Sequence, residues 1–457
     1  MRTKMLSTSL AGKPVQHKGS KVARNKGTPA VRPWTVMTFF WAIYFFGVFS
    51  LARYPGYQQK IIWSGALCLT AASLFLFLRG KISLPLEVVL LFGLACWSLG
   101  GIVEVQNTMV FRAYLKLIVE MAVVVCCMSA ALRYSGRVHW FYWAFVAAGV
   151  FNVLAAGGNL RIEPAEMVHG ETLRSSGIND NPNSLGFYCF LGIFGALALF
   201  GQTRSWWRRG GLIATSVVCC YGLVASASRG PFLLTVLTLL LWPVFCYREK
   251  LRDTWKVLLV LAAAACVVIL GGQWLMQNTF MGYRVGQGLQ QEDSSSQARL
   301  NLAAIGLRLC FERPIFGYGL GQFPRASGTG AYAHNEWSEL LATTGVIGFL
   351  LYIGVYVSAW RRLSRAMSRA TNSHLRYEIN TARLIVVVLV VSGMMFRPNF
   401  LYVDTMFLIG VAVGTGLWAK ACVRQNAKKR SFAWMLSPNE EHADGAFTNA
   451  PAAPIRH

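Results

Sequence analysis

The chain has 457 residues, 54% hydrophobic and 14% charged, with a mean hydropathy of +0.43. A soluble domain carries about 25% charged residues, so this composition excludes an ordinary soluble protein and points to a polytopic membrane protein. The formal net charge of +25 invites a nucleic-acid reading, but the basic residues are distributed as membrane loops distribute them, and that partner is set aside.

In chain order, residues 1–33 hold Lys and Arg but no Asp or Glu, with Gly12, Pro14, Gly19, Gly27 and Pro29. They read as a disordered basic tail. The first apolar run lacks a small-residue cleavage site and reads as an anchor. Twelve runs match the length a bilayer requires. Nine lie within 34–275 (34–52, 61–78, 84–103, 114–132, 139–157, 183–201, 211–226, 230–247 and 255–275). Three lie within 336–419 (336–359, 381–397 and 402–419). Residues 420–457 read as a second disordered tail. With the first tail inside, most of the 44 Lys and Arg fall in cytoplasmic segments. That bias sets orientation: both termini are expected in the cytoplasm and the interval 276–335 outside. The basic surplus then reflects topology and attraction to anionic lipid. Lys116 and Glu120 sit four apart within a span. Intramembrane charges are functional candidates, and mutual neutralisation accounts for them equally well. Most of the 11 cysteines lie in spans. Cys310 is alone in the outer interval, so no disulfide framework is expected.

Long loops in such proteins usually carry function. Within 276–335, residues 297–312 predict an amphipathic helix with Leu300, Ala303, Ala304, Leu307, Cys310 and Phe311 as its apolar stripe. It is expected at the membrane surface, with Arg308 and Glu312 paired and Pro314 ending it. Gly317, Gly319 and Gly321 then predict flexible backbone, followed by an irregular stretch over 322–333.

Three polar motifs stand at equivalent places. Asn179 to Gly186 precedes and opens one span, Ser226-Ala227-Ser228-Arg229-Gly230 precedes a second, and His334-Asn335-Glu336 opens a third. Each of these spans runs from outside to inside, so the motifs share one membrane depth. Helix N-termini offer unpaired N–H groups and a positive dipole end, which suit phosphate. Arg229 and Arg299 add full charge, and the sum is an outward site for an anionic headgroup. Each residue also has a plainer reading. Arg229 snorkels to the interface; Arg299 is a solvated helix face; His334 merely ends a loop. Asn-Pro-Asn around Asn183 makes a turn and cap, and Glu336 and Glu339 favour a first helical turn.

Taken in order, the motifs resemble the O-antigen ligase and polymerase superfamily. They are Ser228-Arg229-Gly230, Arg299 in a long outer loop, the run Arg313-Pro314-Ile315-Phe316-Gly317-Tyr318-Gly319-Leu320-Gly321-Gln322-Phe323, and His334-Asn335 with Glu339 to Gly348. The resemblance implies an all-α, GT-C-like glycosyltransferase of about twelve spans in the bacterial inner membrane, with its catalytic loop in the periplasm. It implies an undecaprenyl-pyrophosphate-linked glycan donor. The acceptor is lipid A-core for a ligase or a lipid-linked glycan for a polymerase, and ligase is the reading taken first. His334 carries over as catalytic residue, Arg229 and Arg299 as pyrophosphate-binding residues. Asn183, Ser228, Asn335 and Glu339 are expected to line the site. No cofactor and no metal are expected, since the outer face shows no carboxylate cluster. Transfer in one displacement inverts the anomeric centre. A twelve-span transporter or flippase is the rival from another class. Against it, transporters commonly show repeated halves and mid-membrane sites, whereas the polar motifs here gather at one face.

Overall fold

The computed structural model describes residues 31–50, 57–79, 84–157, 160, 175–176, 181–247, 270–275, 277–289, 294–395 and 399–436, with isolated positions 255, 259, 262 and 266. The described elements are helical. They are α1 (Val31–Ser50), α2 (Tyr57–Arg79), α3 (Leu86–Gly100), α4 (Thr108–Ser135), α5 (His139–Ala156), α6 (Pro182–Phe200) and α7 (Trp206–Ala225). These are followed by α8 (Arg229–Cys246), α9 (Phe280–Leu289), α10 (Ser294–Glu312), α11 (Phe323–Ala326), α12 (Glu336–Arg369), α13 (Ser373–Met395) and α14 (Val403–Leu436).

Eight of the described helices are long and apolar enough to cross a membrane: α3, α4, α5, α6, α8, α12, α13 and α14. The fold is therefore an all-α polytopic bundle, but the twelve expected spans are not all established. α1 and α2 carry shorter apolar stretches, Pro33–Val48 and Gly65–Leu76. α7 carries Arg208, Arg209 and two glycines after its opening tryptophans, which dilute its hydropathy. The expected span 255–275 falls mostly outside the described residues, as does nearly all of the tail 1–33. Helices also outrun the apolar runs. α12 continues through Arg361 to Arg369, and α14 continues to Leu436, past the expected start of the tail at 420. No Gly or Pro interrupts 420–436, so helix propensity carries on where hydropathy stops.

α5 packs along α6 and α4 along α14. Small residues let α5 and α6 approach closely. A Cβ on Gly149 would stand 2.9 Å from both the Gly192 Cα and the Tyr188 carbonyl oxygen. α3 is tied to α12 by an ion pair in which Arg362 grips Glu87 with both ends of its fork, at 3.0 and 2.7 Å. Glu87 is fully buried, so it needs such a partner.

α12 is broken at Gly345 (φ 69°, ψ −175°), a conformation that only glycine adopts readily. The glycine-rich run fills the break. Tyr318 N–H donates to the Ala342 carbonyl and Gly319 N–H to the Thr343 carbonyl, both at 2.9 Å. Trp97 Nε1 donates to the Thr344 carbonyl at 3.1 Å, and Phe316 stacks on the Trp97 ring at 4.6 Å. Backbone groups released inside a membrane protein need such partners. Gly317 (φ 65°) is required as well: its Cβ would come within 2.6 Å of the Ala342 carbonyl oxygen. The run expected to be flexible is instead the splice that completes a discontinuous helix.

α10 starts at Ser294, close to expectation, and Arg308 and Glu312 pair at 3.7 Å. Its packed face differs from the predicted stripe. Leu302, Gly306, Leu309 and Cys310 are buried, whereas Leu300 (67%), Leu307 (48%) and Phe311 (84%) are exposed. Apolar residues occur around most of this helix, so periodicity alone selects no face. Gly306 does: its missing side chain lets α10 lie against the start of α12, where a Cβ would stand 2.8 Å from that of Ser338. Arg299, three residues before Leu302, shares the packed side. The irregular stretch 322–333 contains the short helix α11. Lys116 and Glu120 pair at 3.7 Å on α4 and are both partly exposed.

Candidate active site

Three helix starts build the site. α6 opens at Asn181, whose Oδ1 accepts from Asn183 N–H at 2.8 Å, with Pro182 in the first turn, where its missing N–H costs nothing. α8 opens at Ser228 in extended conformation, making Arg229 its first residue. The two starts are joined, since Ser228 Oγ donates to Asn183 Oδ1 at 2.9 Å. α12 opens at Asn335, whose Oδ1 accepts from Trp337 N–H at 3.0 Å and Ser338 N–H at 3.2 Å. Asn335 Nδ2 also donates to the Met394 carbonyl at 2.7 Å, fastening this start to the end of α13.

Between these starts lies a cavity of about 380 Å³. Arg229, Arg299 and His334 all line it, together with Asn183 and Ser228. Of the residues the sequence nominates, Asn335 and Glu339 do not. Asn335 is occupied as a helix cap. Glu339 is fully buried, and its Oε2 accepts the Ala333 N–H at 3.1 Å, which holds the backbone immediately before His334. Glu336 is also interior, accepting from Tyr352 Oη and Phe400 N–H, both at 2.8 Å.

Two non-glycine residues among those described have left-handed backbones, Ala227 (φ 45°) and His334 (φ 54°). One adjoins the Ser228-Arg229 helix start and the other lines the cavity. Such conformations are costly and concentrate at functional sites. The His334 ring lies 3.9 Å from that of Tyr332. Burial, and then the charge of Arg299, pulls the imidazole below its ordinary pKa. The ring is therefore held neutral, with a nitrogen able to accept a proton. Tyr332 goes the other way. Burial and the neighbouring Tyr402 push its hydroxyl up to about 12, so it stays protonated.

Among the lining residues that escape the sequence reading are Arg284, Tyr332 and Tyr402. Arg284 stands outside any motif, on α9, which the apolar pattern does not reveal. Arg229 Nη1 donates to the Arg284 carbonyl at 3.4 Å, and Arg284 Nη1 donates to the Ala227 carbonyl at 3.2 Å. Tyr332 is two residues before His334, and that proximity is the one available signal. Tyr402 comes from the turn between α13 and α14 and has none. Among the described residues, the cavity lining contains no Asp, Glu or Cys. Among the described residues no three His, Cys, Asp or Glu side chains come together.

The fold and cavity define a multi-pass helical membrane protein with a cationic, histidine-bearing pocket at helix N-termini. A family model described as O-antigen ligase matches residues 214–353. The match supports the O-antigen ligase superfamily that the motifs resemble, and with it a glycosyltransferase-like enzyme that works on lipid-linked glycans. Arg229, Arg284, Arg299 and His334 all fall inside the matched stretch, whereas Asn183 and Tyr402 lie outside it. No curated protein matches the chain.

Proposed function

We propose that this cavity is the active site of an inverting glycosyltransferase. It moves a glycan from undecaprenyl pyrophosphate to a sugar hydroxyl at the periplasmic face of the inner membrane, most simply as an O-antigen ligase acting on lipid A-core. The observation that carries this reading is the convergence of Arg229, Arg299 and His334 on one cavity. A lipid-pyrophosphate is already a good leaving group and needs no strong acid. It needs its growing negative charge met, and guanidinium forks match phosphate oxygens while remaining charged. The acceptor hydroxyl is a poor nucleophile. His334, neutral in its setting, takes its proton as the hydroxyl attacks the anomeric carbon. Tyr332, held protonated, donates hydrogen bonds and does not compete as a base.

The chemistry is assigned without a metal. Divalent cations favour carboxylate and other oxygen ligands, whereas the described residues of this lining offer guanidinium groups and no carboxylate. Positive charge on the protein replaces the Lewis acid.

Ligase and polymerase share the donor and differ in the acceptor. A deletion strain separates them. Free core together with unattached polymer identifies a ligase, and products capped at a single repeat identify a polymerase. Normal lipopolysaccharide and polymer in that strain would count against both.

A further inference from the structure

α9 is locked to the turn that starts α8 by two reciprocal bonds, one from each arginine to the other segment's backbone. Both side chains line the cavity, so three arginines face one small space: Arg229, Arg284 and Arg299. Three guanidiniums lining one confined pocket present forks to more than one phosphate group. The donor's charge is instructive. A glycan–pyrophosphate–lipid diester carries about two negative charges, and the departing lipid pyrophosphate carries between two and about three, since its terminal group titrates near neutrality.

We infer that Arg284 is a third phosphate-binding residue, sharing with Arg229 and Arg299 the charge released when the sugar departs. The inference rests on the pyrophosphate reading above and extends it. In the step concerned, the acceptor oxygen forms a bond to the anomeric carbon. The bond from that carbon to the phosphate oxygen breaks and leaves its electron pair on that oxygen. The acceptor proton passes to His334. Arg229 and Arg299 hold the pyrophosphate as its charge grows, and Arg284 adds a third positive charge to meet that growth. Its bond to the Ala227 carbonyl fixes the guanidinium in place, so little reorganisation accompanies the step.

The test uses the full chain purified in detergent, with Arg284→Gln and Arg284→Lys. Gln retains a donor for the Ala227 carbonyl but carries no charge; Lys retains the charge without the fork. The binding probes are a short-chain polyprenyl pyrophosphate and the matching polyprenyl monophosphate. Arg284→Gln should weaken pyrophosphate binding by about tenfold or more and change monophosphate binding by less than about twofold, as loss of one charge-assisted contact implies. It should lower kcat by about 10²–10³ with little change in donor KM, and Arg284→Lys should recover part of that loss. Unchanged kcat and probe binding in Arg284→Gln overturn the inference and leave the pyrophosphate reading intact. Equal impairment of Gln and Lys variants, accompanied by lowered thermal stability, overturns it in favour of a purely structural clasp. If the wild-type protein binds neither probe, the pyrophosphate reading and the inference fall together.

Discussion

Val346 donates its backbone N–H to the carbonyl of Pro314 at 2.8 Å. That bond closes the break in α12 from the C-terminal side, as Tyr318 and Gly319 close it from the other. The glycine-rich run and the helix behind His334 are therefore one mechanical unit.

Gly345→Ala should consequently destabilise the protein. The backbone there belongs to a region essentially reserved for glycine, which costs a residue with a side chain about 1–3 kcal/mol, and the new Cβ would collide with the Ile315 carbonyl. Gly317→Ala should act in the same direction. Thermal unfolding in detergent measures both, and wild-type stability in the pair would mean that the splice is not essential to the fold.

Arg229→Ala and Arg299→Ala should each cost about 3–4 kcal/mol of transition-state stabilisation if they meet developing charge. Lys at either position should recover only part, because an ammonium lacks the fork. Transfer kinetics decide this. Full recovery by Lys would leave charge in place but remove the bidentate element of the account.

The pH profile follows from His334. Burial and Arg299 both disfavour imidazolium, so the base form persists to lower pH than an imidazole of ordinary pKa, about 6.5, would allow. Transfer should stay flat from alkaline pH down past that value and fall only on further acidification. Arg299→Gln removes one of the two causes, so the acid limb of its residual activity should move to higher pH. A limb that stays put in that variant would show that another group is being titrated.

The packed face of α10 can be checked by paired truncations. Leu309→Ala removes a buried side chain and should cost about 2–5 kcal/mol. Leu307→Ala changes an exposed one and should stay within about 0.5 kcal/mol. The reverse order in unfolding measurements would restore the stripe read from sequence.

The contrast at α10 shows what sequence can and cannot give here. Helix starts are legible because caps are local: Asn181, Ser228 and Asn335 announce α6, α8 and α12, and Asn183, Arg229 and His334 stand beside them. Arg299 is legible through the family resemblance, not through periodicity. A helix apolar on several sides has no preferred face until Gly306 and Ser338 meet, and that meeting is a tertiary event. Arg284 and Tyr402 reach the cavity only because α9 and the α13–α14 turn fold back to it, and nothing next to them in the chain reports that. Hydropathy likewise marks where α12 and α14 become apolar but not where they end, since their basic continuations are good helix formers. The break at Gly345 shows the limit most clearly: a Thr-Thr-Gly in an apolar run does not reveal that a loop some thirty residues earlier will complete its hydrogen bonds.

The most direct measurement is single-turnover transfer in detergent, with purified protein, an undecaprenyl-pyrophosphate-linked glycan and a lipid A-core acceptor, in the presence of excess chelator. Detergent leaves no compartment to cross, so pure transport gives no product. The account predicts that the wild-type protein forms the glycosidic bond under these conditions, and that His334→Ala, folded and monodisperse, is slower by about 10²–10⁴. Undiminished transfer by His334→Ala would contradict it, and so would a wild-type protein that is inactive until a divalent ion is restored.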